Sequence, residues 1–224
     1  MATGHSNAAR YKSAANRRTA FMEVMRRRIR PGRGSSLALL RSRESYPMPD
    51  LKSLLPGVRF VVVGGTATSL YMPLRTTKDV DILVATADAP TAERALVQAG
   101  ATLLGPLSIH NPLRIAGNAW RLPDGSELDV LRSGRPWAKE ALAHSHPDAA
   151  GLPIVTLPYL VLMKLASGRG LDLGDISRML GGADENALDA VRQVVSKYLP
   201  DALDDVKSLA ELGRLEFESD SSAG

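Results

Sequence analysis

The stretch from Val61 to Leu83, VVVGGTATSLYMPLRTTKDVDIL, constrains this chain more than any other part of its sequence. It predicts a buried strand, a Gly-Gly turn, a short helix and a second strand that carries Asp79 and Asp81. Side chains two positions apart on a strand share a face. The two carboxylates should therefore project side by side, while Val80 and Ile82 point into the core.

The spacing of Asp79 and Asp81 predicts a Mg²⁺ site, because two carboxylates held this close repel each other unless a cation neutralises them. Taken alone, Asp-x-Asp also fits a solvated strand end, but its position after the glycine turn favours metal binding. Gly64 and Gly65 would offer backbone N–H groups to phosphate oxygens, and Thr66 would add a hydroxyl at the start of the helix. Together these features point to a protein that handles a nucleoside triphosphate.

The order of these pieces resembles the nucleotidyltransferase superfamily, and within it the AbiEii-like toxins of type IV toxin–antitoxin systems and other minimal nucleotidyltransferases. The family pattern is a strand, Gly-Gly or Gly-Ser, a short helix and Asp-x-Asp on the next strand. Here Arg75 and Lys78 lie just before the aspartates, where they would contact phosphate or the acceptor, or remain surface charges. The resemblance covers about 58–180. It implies an α+β fold in which a mixed β-sheet flanked by helices is followed by a C-terminal helical region.

The resemblance also implies a third metal-binding carboxylate on a later strand of the same sheet, and Asp129 is the match. Asp129 would help to deprotonate the acceptor hydroxyl, directly or through the catalytic metal. Glu127 lies two residues earlier on the same strand face and is the rival assignment. A surface strand with no catalytic role is the plainer alternative.

Lys164 lies in an otherwise apolar helical run, where a lysine needs a partner, a ligand or a route for its ammonium group to reach water. The resemblance assigns Lys164 to triphosphate binding. Asp172 and Asp175 lie three residues apart on one helical face. They would either pair with Arg169 or Arg178, or support the site by helping to orient Lys164.

The chain is predicted to have four parts. These are a basic arm and linker at 1–50, a domain at 51–156 that the resemblance implies is the nucleotidyltransferase domain, a helical region at 157–216 and a polar tail at 217–224. The arm holds eleven Lys or Arg against three acidic residues, a net charge of +8, whereas the rest of the chain has a net charge of −4. A helix over 8–30 is expected in the arm. The arm is either a flexible solvated segment, an extension from a misplaced start codon or an RNA-binding segment attracted to phosphate.

Alternation and turn signals predict the other elements. Strands are predicted at 58–63, 80–84, 102–107, 113–115, 119–122 and 127–131, and helices at 66–71, 89–99, 157–168, 171–180, 184–198 and 201–214. We expect the active site where the sheet half and the helical half face each other.

The absence of cysteine excludes disulfides, thiolate catalysis and Cys-based metal sites, and is compatible with a reducing cytoplasm. No apolar run is long enough to span a bilayer, and the N-terminus lacks an apolar signal region. We therefore expect a cytoplasmic protein with no membrane partner.

The leading hypothesis is Mg²⁺-dependent transfer of NMP from an NTP to a hydroxyl group, with two Mg²⁺ ions and Mn²⁺ as a substitute. The resemblance implies the toxin of a toxin–antitoxin pair, with RNA such as a tRNA 3′ end as the acceptor and a cognate antitoxin protein as a partner. A second hypothesis is antibiotic nucleotidylation, in which an acidic pocket receives a cationic aminoglycoside. The third is a catalytically degenerate domain that serves only as a binding module.

Overall fold

The computed structural model describes residues 49–72, 79–107, 111–148 and 151–221. The basic arm with its expected helix lies outside these residues, as do Arg75 and Lys78.

The described chain forms seven strands and eight α-helices in an α+β arrangement, which confirms the predicted fold class. The strands are β1 (Phe60–Val63), β2 (Asp79–Val84), β3 (Thr102–Pro106), β4 (Ala116–Arg121), β5 (Glu127–Arg132), β6 (Ser145–Pro147) and β7 (Pro153–Val155). The helices are α1 (Leu51–Leu54), α2 (Gly64–Thr68), α3 (Ala89–Gln98), α4 (Pro136–Ala143), α5 (Leu157–Ser167), α6 (Gly170–Gly181), α7 (Glu185–Tyr198) and α8 (Leu203–Ser221), with a 3₁₀ turn at Pro200–Ala202.

The seven strands form one mixed sheet in the order β3-β4-β5-β2-β1-β7-β6. The pairs β2–β5 and β1–β7 are parallel, and the other neighbours are antiparallel. All four residues of β1 are buried, as expected for an apolar strand at the centre of a sheet that is covered on both faces.

The helical half is built around α5, which is buried along most of its length. Helix α5 packs against α6 and α7, and also contacts α2 beside the sheet. It ends at Gly168, whose φ of +64° places it in the left-handed region where glycine is favoured. The chain turns there and α6 begins at Gly170, so the C-terminal end of α5 lies beside the N-terminal end of α6.

Helices α6 and α8 approach each other closely at a pair of glycines. A Cβ added at Gly181 would lie 2.4 Å from the carbonyl carbon of Gly213, and one added at Gly213 would lie 1.9 Å from the carbonyl oxygen of Ser177. Only a residue without a side chain fits at either position without moving a helix.

Several sequence predictions differ from the structure. The predicted strand at 113–115 is a turn, because the carbonyl of Leu113 accepts hydrogen bonds from Ser133 Oγ and Trp137 Nε1, both at 3.0 Å, instead of a ladder partner. Helix α4 and the short strands β6 and β7 were not predicted. Helix α8 runs to Ser221 and so extends into the predicted polar tail. Within the described residues, no helix combines the length and the apolar character needed to cross a bilayer.

Candidate functional site

The carboxylates predicted from the sequence lie on two neighbouring strands. Strands β2 and β5 are parallel and in register, so that Asp79 is opposite Glu127 and Asp81 is opposite Asp129. Residues in register on adjacent strands share a face, and the intervening residues of β2 are buried in the core. The structure therefore brings Asp79, Asp81 and Asp129 to one face of the sheet, as predicted.

This grouping changes the proton affinity of two of the carboxyls. Burial, followed by the charges of Asp81, Asp79 and Glu127, raises the pKa of Asp129 to about 6. Burial also raises the pKa of Asp81, opposed by a hydrogen bond from the backbone of Gly65. The site thus concentrates negative charge, which a cation would offset.

The rival assignments Asp129 and Glu127 are separated by their surroundings. Both residues are of intermediate exposure, but Asp129 lines a cavity, whereas Glu127 accepts a hydrogen bond from Arg121 at 3.1 Å. Glu127 does not line this cavity. The arrangement favours Asp129 as the third carboxylate of the site.

The glycine turn holds Asp81 in place. Gly64 has a φ of +61°, and a Cβ on it would lie 1.9 Å from Asp81 Oδ2. A hydrogen bond from the backbone of Gly65 to the Asp81 carboxylate opposes the rise in the pKa of that carboxyl, and the expected role of Gly65 in phosphate binding stays a prediction. Gly64 lines the cavity, whereas Gly65 and Thr66 do not. The turn is needed here because it lets a carboxylate pack directly on the backbone.

A second polar group lies across from the sheet, at the junction of α5 and α6. This Lys164 cluster consists of Lys164, Ser167, Arg169, Asp172 and Asp175. Lys164 Nζ donates to Asp172 Oδ1 at 2.9 Å and to Asp175 Oδ2 at 2.7 Å, and the three side chains are at most 5% exposed. Asp172 Oδ2 also accepts from Ser167 Oγ at 2.5 Å and from Arg169 Nε at 2.6 Å. The two aspartates therefore hold Lys164, and Asp172 pairs with Arg169 as well.

The sequence predicts Arg169 only as a partner for Asp172 or Asp175, yet Arg169 lines the cavity. Its side chain is 75% exposed. The hydrogen bond with Asp172 raises the pKa of Arg169, and the positive charge of Arg169 opposes part of the rise that burial causes in the pKa of Asp81. One feature of the sequence could have pointed to Arg169. It directly follows Gly168, and a left-handed glycine marks the point where the chain leaves α5.

The cavity measures about 440 Å³ and joins the two halves of the chain, a size typical of small-molecule sites. Its polar lining includes Gly64, Asp81 and Asp129 from the sheet half, and Lys164 and Arg169 from the helical half. The two halves thus meet at a shared cavity, which is where the active site was expected.

Another part of the cavity wall is mainly apolar. It is built from β5 and the connection between β3 and β4, and includes Leu107, Asn111, Ile115 and Leu131. The Oδ1 atom of Asn111 is buried and has no hydrogen-bond partner in the described chain. A ligand with an N–H or O–H donor would satisfy it.

Asp79, Asp81 and Asp129 are the residues that could hold a metal ion. Among the described residues, no three or more His, Cys, Asp or Glu groups already surround one point as metal ligands would. The donors are all carboxylates, which suit Mg²⁺ or Mn²⁺, and the raised pKa values of Asp81 and Asp129 indicate negative charge that such an ion would offset. The residues fit a divalent cation.

No protein-family model and no curated protein matches this sequence. The solved structures that are similar to it include the following two. One is a solution structure of the antibiotic-resistance factor ANT(2″)-Ia, with a TM-score of 0.35 and 13% identity over 83% of this chain and 92% of that one. The other is a crystal structure of ANT(2″)-Ia in complex with adenylyl-2″-tobramycin, with a TM-score of 0.35 and 13% identity over 80% of this chain and 94% of that one. The AbiEii-like assignment stays a prediction from the motifs.

Proposed function

We propose that this chain is a divalent-metal-dependent nucleotidyltransferase, which moves NMP from an NTP onto a hydroxyl group. One observation carries the proposal. Asp81 and Asp129 lie opposite each other on β2 and β5, in a cavity that Arg169 of the helical half also lines.

Asp79, Asp81 and Asp129 are the residues that would hold Mg²⁺ or Mn²⁺. A bound divalent cation offsets the charge of the triphosphate and of the leaving pyrophosphate. Gly64 gives room for the Asp81 carboxylate at the point where β1 ends. Two ions are expected, because nucleotidyl transfer handles both an attacking and a leaving oxygen.

The reaction is an in-line displacement at the α-phosphorus. The acceptor oxygen forms a bond to this phosphorus, the bond to the bridging oxygen of the β-phosphate breaks, and pyrophosphate leaves with the electron pair. The proton of the acceptor hydroxyl passes to the carboxylate of Asp129 and then to solvent. In the metal-free site the pKa of Asp129 is about 6, so this carboxyl is mainly ionised at neutral pH and available to hold a cation and to accept a proton.

The proposed acceptor is RNA, such as a tRNA 3′ end, and the proposed role is that of a toxin with a cognate antitoxin protein as a partner. The net charge of +8 over residues 1–50 supports this, since clustered Lys and Arg attract a phosphate backbone. The apolar wall beside Asn111 supports it as well, because an uncharged base with an amino group matches such a surface. A polycationic aminoglycoside would need acidic groups beyond those that hold the metal, and of the three aspartates that line the cavity, Asp81 and Asp129 are the proposed metal ligands and Asp172 is paired with Lys164 and Arg169.

The test is incubation of the full chain with Mg²⁺, each α-³²P-labelled NTP in turn, and either total RNA or an aminoglycoside such as tobramycin. We expect label in RNA with at least one NTP, and loss of that label on addition of EDTA. The variant Asp129→Asn should lose transfer. The matched control Asp189→Asn removes a surface carboxylate on α7 that is 63% exposed, and should keep full activity.

The outcomes separate the hypotheses. Label in the aminoglycoside and not in RNA would overturn the RNA acceptor and support antibiotic nucleotidylation. Saturable Mg²⁺–NTP binding without transfer to either would point to a different hydroxyl acceptor. Neither binding nor transfer would leave the degenerate binding module as the better account.

A further inference from the structure

Two cations line the same cavity, but they are held differently. The ammonium of Lys164 lies between Asp172 and Asp175, and the side chain is only 5% exposed. Arg169 makes one ion pair, through Nε to Asp172, and is 75% exposed. The charge of Lys164 is already balanced by two buried carboxylates, whereas most of the Arg169 guanidinium remains accessible.

The donors of Arg169 are suited to a phosphate. A guanidinium carries five N–H groups in a planar fork, and Nε uses one of them on Asp172. No other side-chain hydrogen bond of Arg169 is found in the described chain, so the four N–H groups on its terminal nitrogens can bind a ligand. Paired N–H groups of this kind bind two oxygens of a phosphate at once, which an ammonium cannot do.

Asp172 fixes where the guanidinium sits. It is 1% exposed and accepts from Lys164, Ser167 and Arg169. An aspartate held by three donors has little freedom to rotate, and the Arg169 Nε that is bound to it is restrained in turn. Arg169 lines the same cavity as Asp81 and Asp129 of the carboxylate strands.

We propose that Arg169 binds the β- and γ-phosphates of the substrate and the pyrophosphate that leaves, and that Lys164 is a positioning residue that acts through Asp172. The inference rests on the proposed function in that its ligand is a polyphosphate. It differs from the resemblance, which assigns triphosphate binding to Lys164.

The experiment measures the binding of inorganic pyrophosphate to the full chain by calorimetry, with and without Mg²⁺. Because pyrophosphate is the product that leaves, its binding can be measured without turnover. Arg169→Gln should weaken binding about 10- to 100-fold, the loss typical of hydrogen bonds to a charged group. Arg169→Lys should restore only part of it, because the charge returns without the fork. The matched control Arg192→Gln changes an arginine of α7 that is 40% exposed and paired with Asp189, and should bind like the wild type.

A double-mutant cycle separates positioning from direct contact. If Lys164 acts through Asp172 and Arg169, then Lys164→Met weakens pyrophosphate binding in the wild-type background and has little further effect in Arg169→Gln. Additive losses would mean that Lys164 contacts the phosphates itself and would overturn its positioning role. If Lys164→Met does not fold, Asp172→Asn provides the same comparison without removing the lysine. Circular dichroism checks that each variant is folded.

The result is independent of the transferase test. If Arg169→Gln abolishes pyrophosphate binding but no NTP yields transfer, the phosphate site stands and the transferase does not. If transfer occurs while Arg169→Gln leaves both pyrophosphate affinity and the KM for NTP unchanged, the transferase stands and this inference is wrong. No measurable pyrophosphate binding by the wild type would also overturn it.

Discussion

Asp81 of β2 lies directly opposite Asp129 of β5, in the register of two parallel strands. Like charges in this position destabilise a sheet. The Asp81 carboxylate packs against the backbone of Gly64, which leaves it little room to move away. A fold that keeps such a pair carries an electrostatic cost at that point, as many functional sites do.

The pair predicts how pH affects stability in the absence of metal. The pKa of Asp129 is about 6 in the folded protein and 3.8 as its ordinary value. The folded state therefore binds more protons than the unfolded state in this window, so the contribution of Asp129 to the free energy of unfolding falls as pH rises from about 4 to about 6. Asp129→Asn should raise the free energy of unfolding at pH 7.5 by about 1 kcal/mol, after allowance for solvent screening of a half-buried group.

Thermal unfolding in EDTA and in Mg²⁺, at pH 5 and pH 7.5, checks this. The gain from Asp129→Asn should appear at pH 7.5 in EDTA and shrink at pH 5, and Mg²⁺ should stabilise the wild type but not the variant. The surface variant Asp189→Asn should match the wild type throughout. A loss of stability on Asp129→Asn at pH 7.5 in EDTA would contradict the electrostatic account.

Gly64→Ala should damage the site more than the fold. The new Cβ would overlap the Asp81 carboxylate, and a left-handed backbone costs a non-glycine residue about 1–2 kcal/mol. Displacing a metal-binding carboxylate by about 1 Å should lower the transfer rate on the order of 100-fold. Gly134→Ala, in the exposed turn before α4 where no atom lies within 4 Å of a new Cβ, should leave the rate unchanged. Equal effects of the two variants would argue against a special role for Gly64.

Lys164→Met should destabilise the protein by about 3–5 kcal/mol, because it leaves two buried carboxylates without their shared cation. Lys197 provides the contrast. It pairs with Glu140 at a similar distance, 2.8 Å, but is 57% exposed, so Lys197→Met should change stability little. Urea unfolding of both variants measures the difference, and a small effect at Lys164 would mean that its aspartates are readily solvated.

The contact between α6 and α8 predicts opposite effects of alanine at two glycines. Gly213→Ala would push a Cβ into the carbonyl of Ser177 and should lower the free energy of unfolding by about 1–3 kcal/mol. Gly174→Ala lies inside α6 with no atom within 4 Å of the new Cβ, and should raise it by about 0.5–1 kcal/mol through helix propensity. Urea midpoints of the two variants moving in the same direction would show that the close approach is not what restricts these positions.

The sheet half of the site was predictable because its information is local. The apolar run of β1, the two glycines and the alternation through Asp79 and Asp81 each specify a backbone state within a few residues. The structure reproduces that order and places Asp129, from the predicted strand at 127–131, beside Asp81. The choice between Asp129 and Glu127 was not local, because both share a face and only the cavity at Asp129 and the pairing of Glu127 with Arg121 separate them.

The helical half was predicted as helices but not as chemistry. Periodicity placed Lys164 on a buried face, yet it could not show that Asp172 and Asp175 turn toward its ammonium. The contribution of Arg169 depends on the turn at Gly168 and on the cavity that forms only when α5 packs beside the sheet. Helix α4 was missed for a similar reason, since Trp137 is ordered by contact with the Leu113 carbonyl, 24 residues away.

The ions of the Lys164 cluster are balanced among themselves. The side-chain hydrogen bonds of Lys164 and Arg169 all run to residues of the same short stretch, 164–175. A wall with its charges paired in this way can move away from the sheet as one body without leaving an unpaired ion in an apolar interior. Opening the cleft to admit a large acceptor or to release a product would therefore break apolar packing and weaken the attraction between Arg169 and Asp81, but would break no ion pair within this cluster.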